Sequence, residues 1–234
     1  MKFFAAISAL AGIAASLPSH VKEVRSLELE EPASQLLQTR ADDTANELVN
    51  GGSTCPPIIF IIARGSTESG NLGTMGPIIG PVLKSNYGAA NVWLQGVGGA
   101  YTASLLDNLA TDGTSAAAIT EMKTLLTLAN TKCPKAKIVA AGYSQGAALV
   151  AAAIRDTTAT IREQIKGVVL FGYTKNKQNN GQIINYSSER LKVFCASGDL
   201  VCTGSLIVTS AHTSYGPDMG GAGPQFLIAR INAS

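Results

Sequence analysis

Histidine is almost absent from this chain of 234 residues, where it occurs only as His20 and His212. Charged residues are also scarce, at 15% of the sequence, and the net charge is only +2. Because the chain has no basic run, we expect no nucleic-acid partner. The four cysteines lack metal-knuckle spacing, so we do not expect a zinc site either.

Long hydrophobic segments are missing too, and only the N-terminus carries a short apolar run. Lys2 precedes apolar residues 3–15, and Ala14 and Ser16 are small residues at the −3 and −1 positions of a cleavage site. The run is too short to span a bilayer, so we predict a signal peptide at 1–16. The alternative is a buried N-terminal helix. No later segment is long and apolar enough for stable membrane insertion, and we expect a soluble, secreted protein.

The next stretch, residues 17–43, is polar and carries several glutamates. We predict that it is a pro-region or a flexible N-terminal arm, with Arg40 as a candidate processing point. The remaining residues, 44–234, are enough for one domain with a substantial core.

Short apolar segments alternate with helical ones along this domain. Residues 56–63 form a continuous run rich in isoleucine, which is typical of a strand buried on both faces of a parallel sheet. The predicted strands are 56–63, 92–97, 137–141, 168–171 and 191–194, and the predicted helices are 78–85, 114–130, 147–156 and 225–231. The alternation predicts an α/β fold with a parallel sheet and helices on both faces. Ligands of such sheets bind at the carboxyl ends of the strands.

One motif, Gly142-Tyr143-Ser144-Gln145-Gly146, lies between a predicted strand and a predicted helix. In this context Gly-x-Ser-x-Gly is a nucleophile elbow, in which the serine hydroxyl stands above the sheet. The alternative is a chance match in a chain with 24 glycines, but the motif occurs once, where a strand meets a helix. We predict that Ser144 is a nucleophile and that the backbone N–H of Gln145 faces the developing oxyanion.

A nucleophilic serine needs a base and an acid. Because His20 lies in the leader or arm, His212 is the base by elimination. The acids between Ser144 and His212 are Asp156, Glu163, Glu189 and Asp199. Asp199 alone follows a strand at the carboxyl end of the sheet, so we predict that it is the acid. Asp218 is a distant second candidate for the acid, because it lies after the histidine, whereas the acid of an α/β hydrolase precedes it in the chain.

A second oxyanion donor is expected in a loop after an early strand. Ser66 follows the first predicted strand in Arg64-Gly65-Ser66-Thr67 and offers a backbone N–H and a hydroxyl. The alternative is an ordinary turn.

An even number of cysteines in a secreted chain indicates disulfides, with three connectivities for four residues. Cys195 and Cys202 are close in sequence and flank a turn, which makes them the natural local pair. Cys55 would then pair with Cys133.

Several motifs together resemble the fungal cutinases over about residues 54–231. They are Arg64-Gly65-Ser66-Thr67-Glu68, Gly96-Val97-Gly98-Gly99-Ala100-Tyr101, the Ser144 elbow, Phe171-Gly172-Tyr173-Thr174-Lys175-Asn176 and Gly198-Asp199-Leu200-Val201-Cys202. The resemblance implies a single-domain, lidless α/β hydrolase with a central five-stranded parallel sheet. It implies a triad of Ser144, Asp199 and His212, oxyanion donors at Ser66 and Gln145, the disulfides Cys55–Cys133 and Cys195–Cys202, and no cofactor.

The activity implied by this resemblance is hydrolysis of ester bonds in cutin, which releases hydroxy fatty acids. The implied partners are the insoluble polyester and soluble esters, and the implied state is a monomer. Residues 105–106 and 206–208 would border an open cleft, although some of them could instead belong to the core. The implied substrate-binding residues are Leu105, Asn108, Tyr143, Leu206 and Val208. Thr213 departs from the family, where an apolar residue is more usual after the histidine.

Other readings of the sequence remain open at this stage. One is an acetylxylan or general short-chain esterase on the same scaffold, and another is a non-catalytic secreted binding or effector protein. Asn185-Tyr186-Ser187 and Asn232-Ala233-Ser234 match the pattern of N-glycosylation acceptors, and we expect neither to be needed for activity.

Overall fold

The centre of the domain is a parallel β-sheet of five strands. A computed structural model of the chain describes residues 43–234. The predictions for the leader at 1–16, for the arm up to residue 42 and for Arg40 lie outside the described residues. The strands are β1 (Ile58–Ala63), β2 (Val92–Gly96), β3 (Lys137–Tyr143), β4 (Ile165–Phe171) and β5 (Leu191–Phe194). Their order across the sheet is β2-β1-β3-β4-β5, and every pair is parallel.

The strand β1 shows why the sheet needs helices on both faces. All six of its residues are buried, because alternate side chains enter two different hydrophobic clusters. Ile59 and Ile61 lie in one cluster, and Ile58, Phe60 and Ile62 lie in the other. The α/β architecture predicted from the continuous apolar run is therefore confirmed.

Helices cover each cluster. They are α1 (Glu47–Asn50), α2 (Gly76–Tyr87), α3 (Ala116–Lys132), α4 (Gln145–Arg155), α5 (Ala159–Gln164), α6 (Gly216–Gly220) and α7 (Ala222–Asn232). Residues of α3 and α4 pack in the first cluster, and residues of α2 and α7 pack in the second. None of the helices within residues 43–234 combines the length and apolarity needed to cross a membrane.

The helix α3 illustrates how the sequence specifies these elements. Its predicted apolar stripe is buried, at Ile119, Met122, Leu125, Leu126 and Ala129. The Ser115 hydroxyl caps its first turn by accepting a hydrogen bond from the N–H of Ala118, at 3.3 Å. The three shortest helices, α1, α5 and α6, were not predicted, because four to six residues are too few to show a helical period.

Two disulfides join distant and neighbouring parts of this domain. Cys55–Cys133 links the approach to β1 with the end of α3, and Cys195–Cys202 closes the loop after β5. These are the pairs expected from the sequence. The second bond has consequences for the site, because Asp199 lies inside the loop that it closes.

Candidate active site

Ser144 occupies a sharp turn between β3 and α4. Its φ of 54° and ψ of −117° are unusual for a residue with a side chain, and such conformations cost about 1–3 kcal/mol. The turn also brings backbones very close together. A Cβ on Gly146 would lie 2.0 Å from the carbonyl oxygen of Ala63, and a Cβ on Gly142 would lie 2.5 Å from that of Gly146. The two glycines therefore permit the conformation that exposes the serine hydroxyl.

The three residues predicted as a triad meet above the carboxyl end of the sheet. Ser144 Oγ lies 2.9 Å from His212 Nε2, and His212 Nδ1 lies 2.9 Å from Asp199 Oδ2. The imidazole and the carboxylate are both almost fully buried, with 2% of each residue exposed. A proton can therefore pass from the serine to the imidazole in one step, while the carboxylate holds the opposite ring nitrogen.

Asp199 is held by more groups than the imidazole alone. Its Oδ1 accepts a hydrogen bond from the N–H of Val201 at 2.9 Å, and its Oδ2 accepts one from Tyr215 Oη at 2.5 Å. Burial works to raise the pKa of Asp199, but the hydrogen bonds from Tyr215 and His212 outweigh it and hold that pKa below its usual value. The carboxylate is therefore ionised at neutral pH.

Tyr143 restrains the histidine from another direction. Its ring stacks on the imidazole of His212, with centroids 5.4 Å apart, and its hydroxyl donates to the carbonyl oxygen of His212 at 2.8 Å. Burial, together with the charges of Glu68 and Asp199, raises the pKa of Tyr143 to about 12. The phenol therefore stays neutral and remains a donor, so that both the ring and the backbone of His212 are fixed.

The opposite side of Ser144 carries hydrogen-bond donors. Ser66 Oγ accepts hydrogen bonds from Asn108 Nδ2 at 2.9 Å and from Gln145 Nε2 at 3.0 Å. Because two amides fill its acceptor positions, the Ser66 hydroxyl is free to donate its own hydrogen. Within residues 43–234, the backbone N–H groups of Ser66 and Gln145 have no acceptor. Three donors are thus available on this side.

A cavity of about 810 Å³ opens over these groups. All five residues predicted to bind substrate line it: Leu105, Asn108, Tyr143, Leu206 and Val208. The leucines and the valine on its rim are exposed, with 75% of Leu106 and 60% of Val208 accessible to solvent. The alternative that these residues belong to the core is therefore wrong. Ile207 is exposed but does not line the cavity, whereas Leu109, which was not predicted, does.

Comparison with known proteins decides the family. The family profile described as Cutinase matches residues 54–231. Cutinase 1 of Fusarium vanettenii is 56% identical over 234 residues, covering 100% of this chain and 98% of that protein. The chain belongs to the cutinase family. It is therefore a carboxylic ester hydrolase.

Solved structures agree with a cutinase fold. A Trichoderma reesei cutinase in complex with a C11Y4 phosphonate inhibitor superposes with a TM-score of 0.72 and 26% identity, covering 92% of this chain and 93% of that one. An acetylxylan esterase superposes with a TM-score of 0.62 at 17% identity, covering 76% of this chain and 100% of that one. The second likeness shows the shared fold alone.

The structure places each of the other candidate acids in the described domain. Asp156 pairs with Arg155 at 2.7 Å, and Glu163 pairs with Arg190 at 3.0 Å. Glu189 precedes β5, at the end of the sheet opposite Ser144. Asp218 lies in α6, and Asp199 is the carboxylate that bonds to His212.

Sequence reasoning missed one residue that bonds to the predicted triad. Tyr215 lies three positions after His212, and its hydroxyl bonds to Asp199. The local signal for it is weak, because a tyrosine in a polar loop has no distinctive spacing. Sequence reasoning also missed that the side chain of Gln145 turns inward, where it is fully buried and donates to Ser66 and to the carbonyl oxygen of Ser104.

Proposed function

We propose that this cutinase-family chain is a secreted serine esterase that hydrolyses cutin through a Ser144-His212-Asp199 triad and an acyl-enzyme. The observation that carries the proposal is the continuous hydrogen-bonded series from Asp199 through His212 to Ser144. That series ends at the floor of an open, largely apolar cavity. A reactive hydroxyl and a site for an acyl chain therefore lie side by side.

In the acylation step, Ser144 Oγ bonds to the ester carbonyl carbon and passes its proton to His212 Nε2. The carbonyl oxygen becomes an oxyanion, which the N–H groups of Ser66 and Gln145 and the Ser66 hydroxyl stabilise. The bond to the leaving oxygen then breaks. The alcohol departs with the proton from His212, and the acyl group stays on Ser144.

In the deacylation step, a water molecule takes the place of the alcohol. His212 accepts one proton from the water as its oxygen bonds to the acyl carbon. The second tetrahedral species collapses, the bond to Ser144 Oγ breaks, and the proton returns to the serine. The carboxylic acid leaves, and no cofactor takes part in these steps.

The rim of the cavity supports a long-chain polyester as substrate. Leu105, Leu106 and Leu109 border one side, and Leu206 and Val208 border the other, all exposed to solvent. Apolar groups in this position can hold an acyl chain or contact a solid polymer. A short-chain or acetylxylan esterase has less need of such a rim, so that function is the alternative outcome of the substrate test.

The mechanism is tested with Ser144→Ala. We expect kcat on p-nitrophenyl butyrate to fall by about 10⁶-fold and phosphonate labelling to stop, while the circular dichroism spectrum is unchanged. Ser85→Ala, which changes an exposed serine on α2, is the matched control and should keep full activity and labelling. Undiminished turnover in the Ser144 variant would refute the assignment.

The substrate is tested by incubating the enzyme with purified cutin and, separately, with acetylated xylan. Release of hydroxy fatty acids from cutin supports the proposal. Deacetylation of xylan without release from cutin would favour the short-chain alternative. A correctly folded sample that is inactive on every ester would indicate a non-catalytic binding protein.

Export and quaternary state are part of the same proposal. The signal-peptide pattern at 1–16 and the two disulfides support secretion. All the proposed site residues come from one chain, which supports an active monomer. In this proposal, residues 17–43 are a pro-region or arm, and residues 44–234 are the catalytic domain. Mass spectrometry of the secreted protein after phosphonate treatment fixes its N-terminus, and ultracentrifugation fixes its mass in solution.

A further inference from the structure

Two asparagines match the glycosylation pattern, and their surroundings differ. Asn185 lies in a turn closed by a hydrogen bond of 3.1 Å from the N–H of Tyr186 to the carbonyl oxygen of Ile183. Ile183 and Tyr186 are buried, whereas Ile184 and Asn185 at the apex are exposed. The two ends of the turn are thus anchored in the core, and its apex projects outward.

The backbone and side chain of Asn185 also suit modification. Its φ of 64° is in the left-handed region, which asparagine tolerates better than most residues. Its carboxamide makes no hydrogen bond to any residue in the described range. A glycan on this nitrogen would therefore break no hydrogen bond within the described residues.

Asn232 offers a poorer site. It is the last residue of the helix α7, and its Oδ1 accepts a hydrogen bond from Tyr87 Oη at 2.8 Å. Acceptor asparagines belong in surface loops, whereas this one ends a helix and its carboxamide oxygen is held by Tyr87.

We propose that Asn185 carries an N-linked glycan and that Asn232 does not; the proposal rests on the proposed secretion of the chain. The glycan would lie far from the cavity. Tyr186 Oη donates to the carbonyl oxygen of Ile165 at 3.0 Å, and Ile165 is the first residue of β4. Since the strands are parallel, this is the end of the sheet opposite Ser144, so the glycan leaves the cavity open to a polymer.

The test is glycopeptide mapping of the full chain secreted from a eukaryotic host, with release by peptide-N-glycosidase in heavy-oxygen water. We expect the heavy label at Asn185 only. Asn185→Gln and Ser187→Ala should each abolish the glycosidase-dependent mass shift. Ser187→Ala leaves the asparagine at its positive φ, so it answers the question even if the first variant folds poorly.

Asn180→Gln is the matched control, because Asn180 is also exposed and also has a positive φ, of 50°, but no hydroxyl residue follows at the required spacing. It should keep the mass shift, as should Asn232→Gln. An unmodified Asn185 in the secreted protein, or a shift lost only in Asn232→Gln, overturns the proposal. In a parallel experiment, an unrelated signal peptide replaces residues 1–16. If the protein is then exported without a glycan at Asn185, the glycan proposal fails independently of the export proposal.

A second, independent inference concerns Tyr215. Its hydroxyl donates to Asp199 Oδ2 at 2.5 Å and accepts a hydrogen bond from the N–H of Ala196 at 3.0 Å, and only 1% of the residue is exposed. With its acceptor side taken by Ala196, the hydroxyl hydrogen is directed at the carboxylate. The Tyr215 ring also stands edge-on to His212, with centroids 6.4 Å apart.

We infer that Tyr215 is a positioning residue that fixes and polarises Asp199 for the proposed triad; this inference rests on the proposed function. Two donors share one carboxylate oxygen, so the position of Oδ2 depends on both. The titratable groups facing Asp199 are His212, Tyr215 and, farther away, Tyr143. Loss of the phenol leaves a carboxylate that holds a proton more tightly, because one of the bonds that favours its charged form is gone.

The test is the pH profile of kcat and kcat/KM for Tyr215→Phe. We expect kcat to fall about tenfold with KM nearly unchanged, and the acid limb of the profile to move to higher pH. Tyr186→Phe is the control, because it removes another buried tyrosine hydroxyl at the far end of the sheet and should leave the profile unchanged.

Three results bear on this inference. An unchanged kcat and an unchanged acid limb in Tyr215→Phe overturn it. Equal losses of activity in both phenylalanine variants, without a shift of the limb, indicate a general packing role and also overturn it. An inactive wild-type enzyme would instead contradict the proposed function itself.

Discussion

The two sides of Ser144 differ in how completely their polar groups are bonded. On the acid–base side, formed by Asp199, His212 and Tyr215, both carboxylate oxygens and both ring nitrogens have partners. On the oxyanion side, formed by Ser66, Asn108 and Gln145, the backbone N–H groups of Ser66 and Gln145 have no acceptor among residues 43–234.

This difference indicates what each side does in the ligand-free protein. The hydrogen bonds of the acid–base side are complete without substrate, as expected if its groups hold the proposed proton path in place. In the proposed mechanism, the donors on the oxyanion side gain an acceptor only when charge develops on the substrate oxygen. We therefore expect substitutions on the acid–base side to impair the proton path and those on the oxyanion side to lower transition-state stabilisation.

The largest effect is expected for Asp199→Asn. The amide preserves the shape of the side chain but favours the wrong tautomer of His212, so kcat should fall by about 10⁴-fold. Steady-state kinetics on a soluble ester measures the loss, with phosphonate labelling slowed in parallel. Glu189→Gln, at the far end of the sheet, is the control. Near-normal turnover in Asp199→Asn would mean that another acid serves the histidine.

Ser66→Ala should have the next largest effect. It removes one oxyanion donor, the hydroxyl, and keeps the backbone N–H, so kcat should fall by about 10²-fold to 10³-fold. KM should change little, because the lost interaction forms mainly in the transition state. A change confined to KM would show that Ser66 binds the ground state instead.

Asn108→Ala should have a smaller effect on the same side. Gln145 still donates to Ser66 Oγ, so the hydroxyl keeps one of its two restraints, and we expect kcat to fall by about tenfold. Asn91→Ala, which removes an amide donor to the carbonyl of Tyr87 far from the cavity, is the control. A loss as large as that of Ser66→Ala would show that Asn108 is indispensable for placing the hydroxyl.

The stability of the folded protein at acid pH should depend on Asp199, on the acid–base side. The folded pKa of Asp199 is below its unfolded value of about 3.9, so its stabilising contribution is present above that value and is lost as the pH falls through the folded pKa. Between roughly pH 5 and pH 2, the free energy of unfolding should fall more steeply in wild type than in Asp199→Asn. Denaturant titrations at several pH values measure this free energy. An equal dependence on pH in wild type and Asp199→Asn would contradict this account.

The smallest effect is expected on the rim. Leu106→Ser on the oxyanion side and Val208→Ser on the acid–base side should each lower release from cutin by about two- to fivefold, because each removes exposed apolar area. Turnover of p-nitrophenyl butyrate should stay within error. Equal losses on both substrates would show that these residues support the cavity rather than contact the polymer.

Local chemistry explains which features could be predicted from the sequence. The turn at Ser144 was predictable because the elbow needs two glycines between a strand and a helix, all within a few residues. The order of the sheet and the bond from Tyr215 to Asp199 depend on contacts between segments that are distant in sequence. The helices α1, α5 and α6 are too short to show a helical period. The burial of the Gln145 side chain could not be predicted from the sequence, since a polar residue at the start of a helix is usually exposed.

The disulfide Cys195–Cys202 joins residues only seven positions apart, and Asp199 lies between them. Its reduction would release the loop that carries Asp199 and Val201, a residue that lines the cavity, while Ser144 stays on its turn between β3 and α4. Material prepared in a reducing cytosol could thus look natively folded by spectroscopy and still turn over poorly. Thiol content therefore needs to be measured alongside every rate reported for this enzyme.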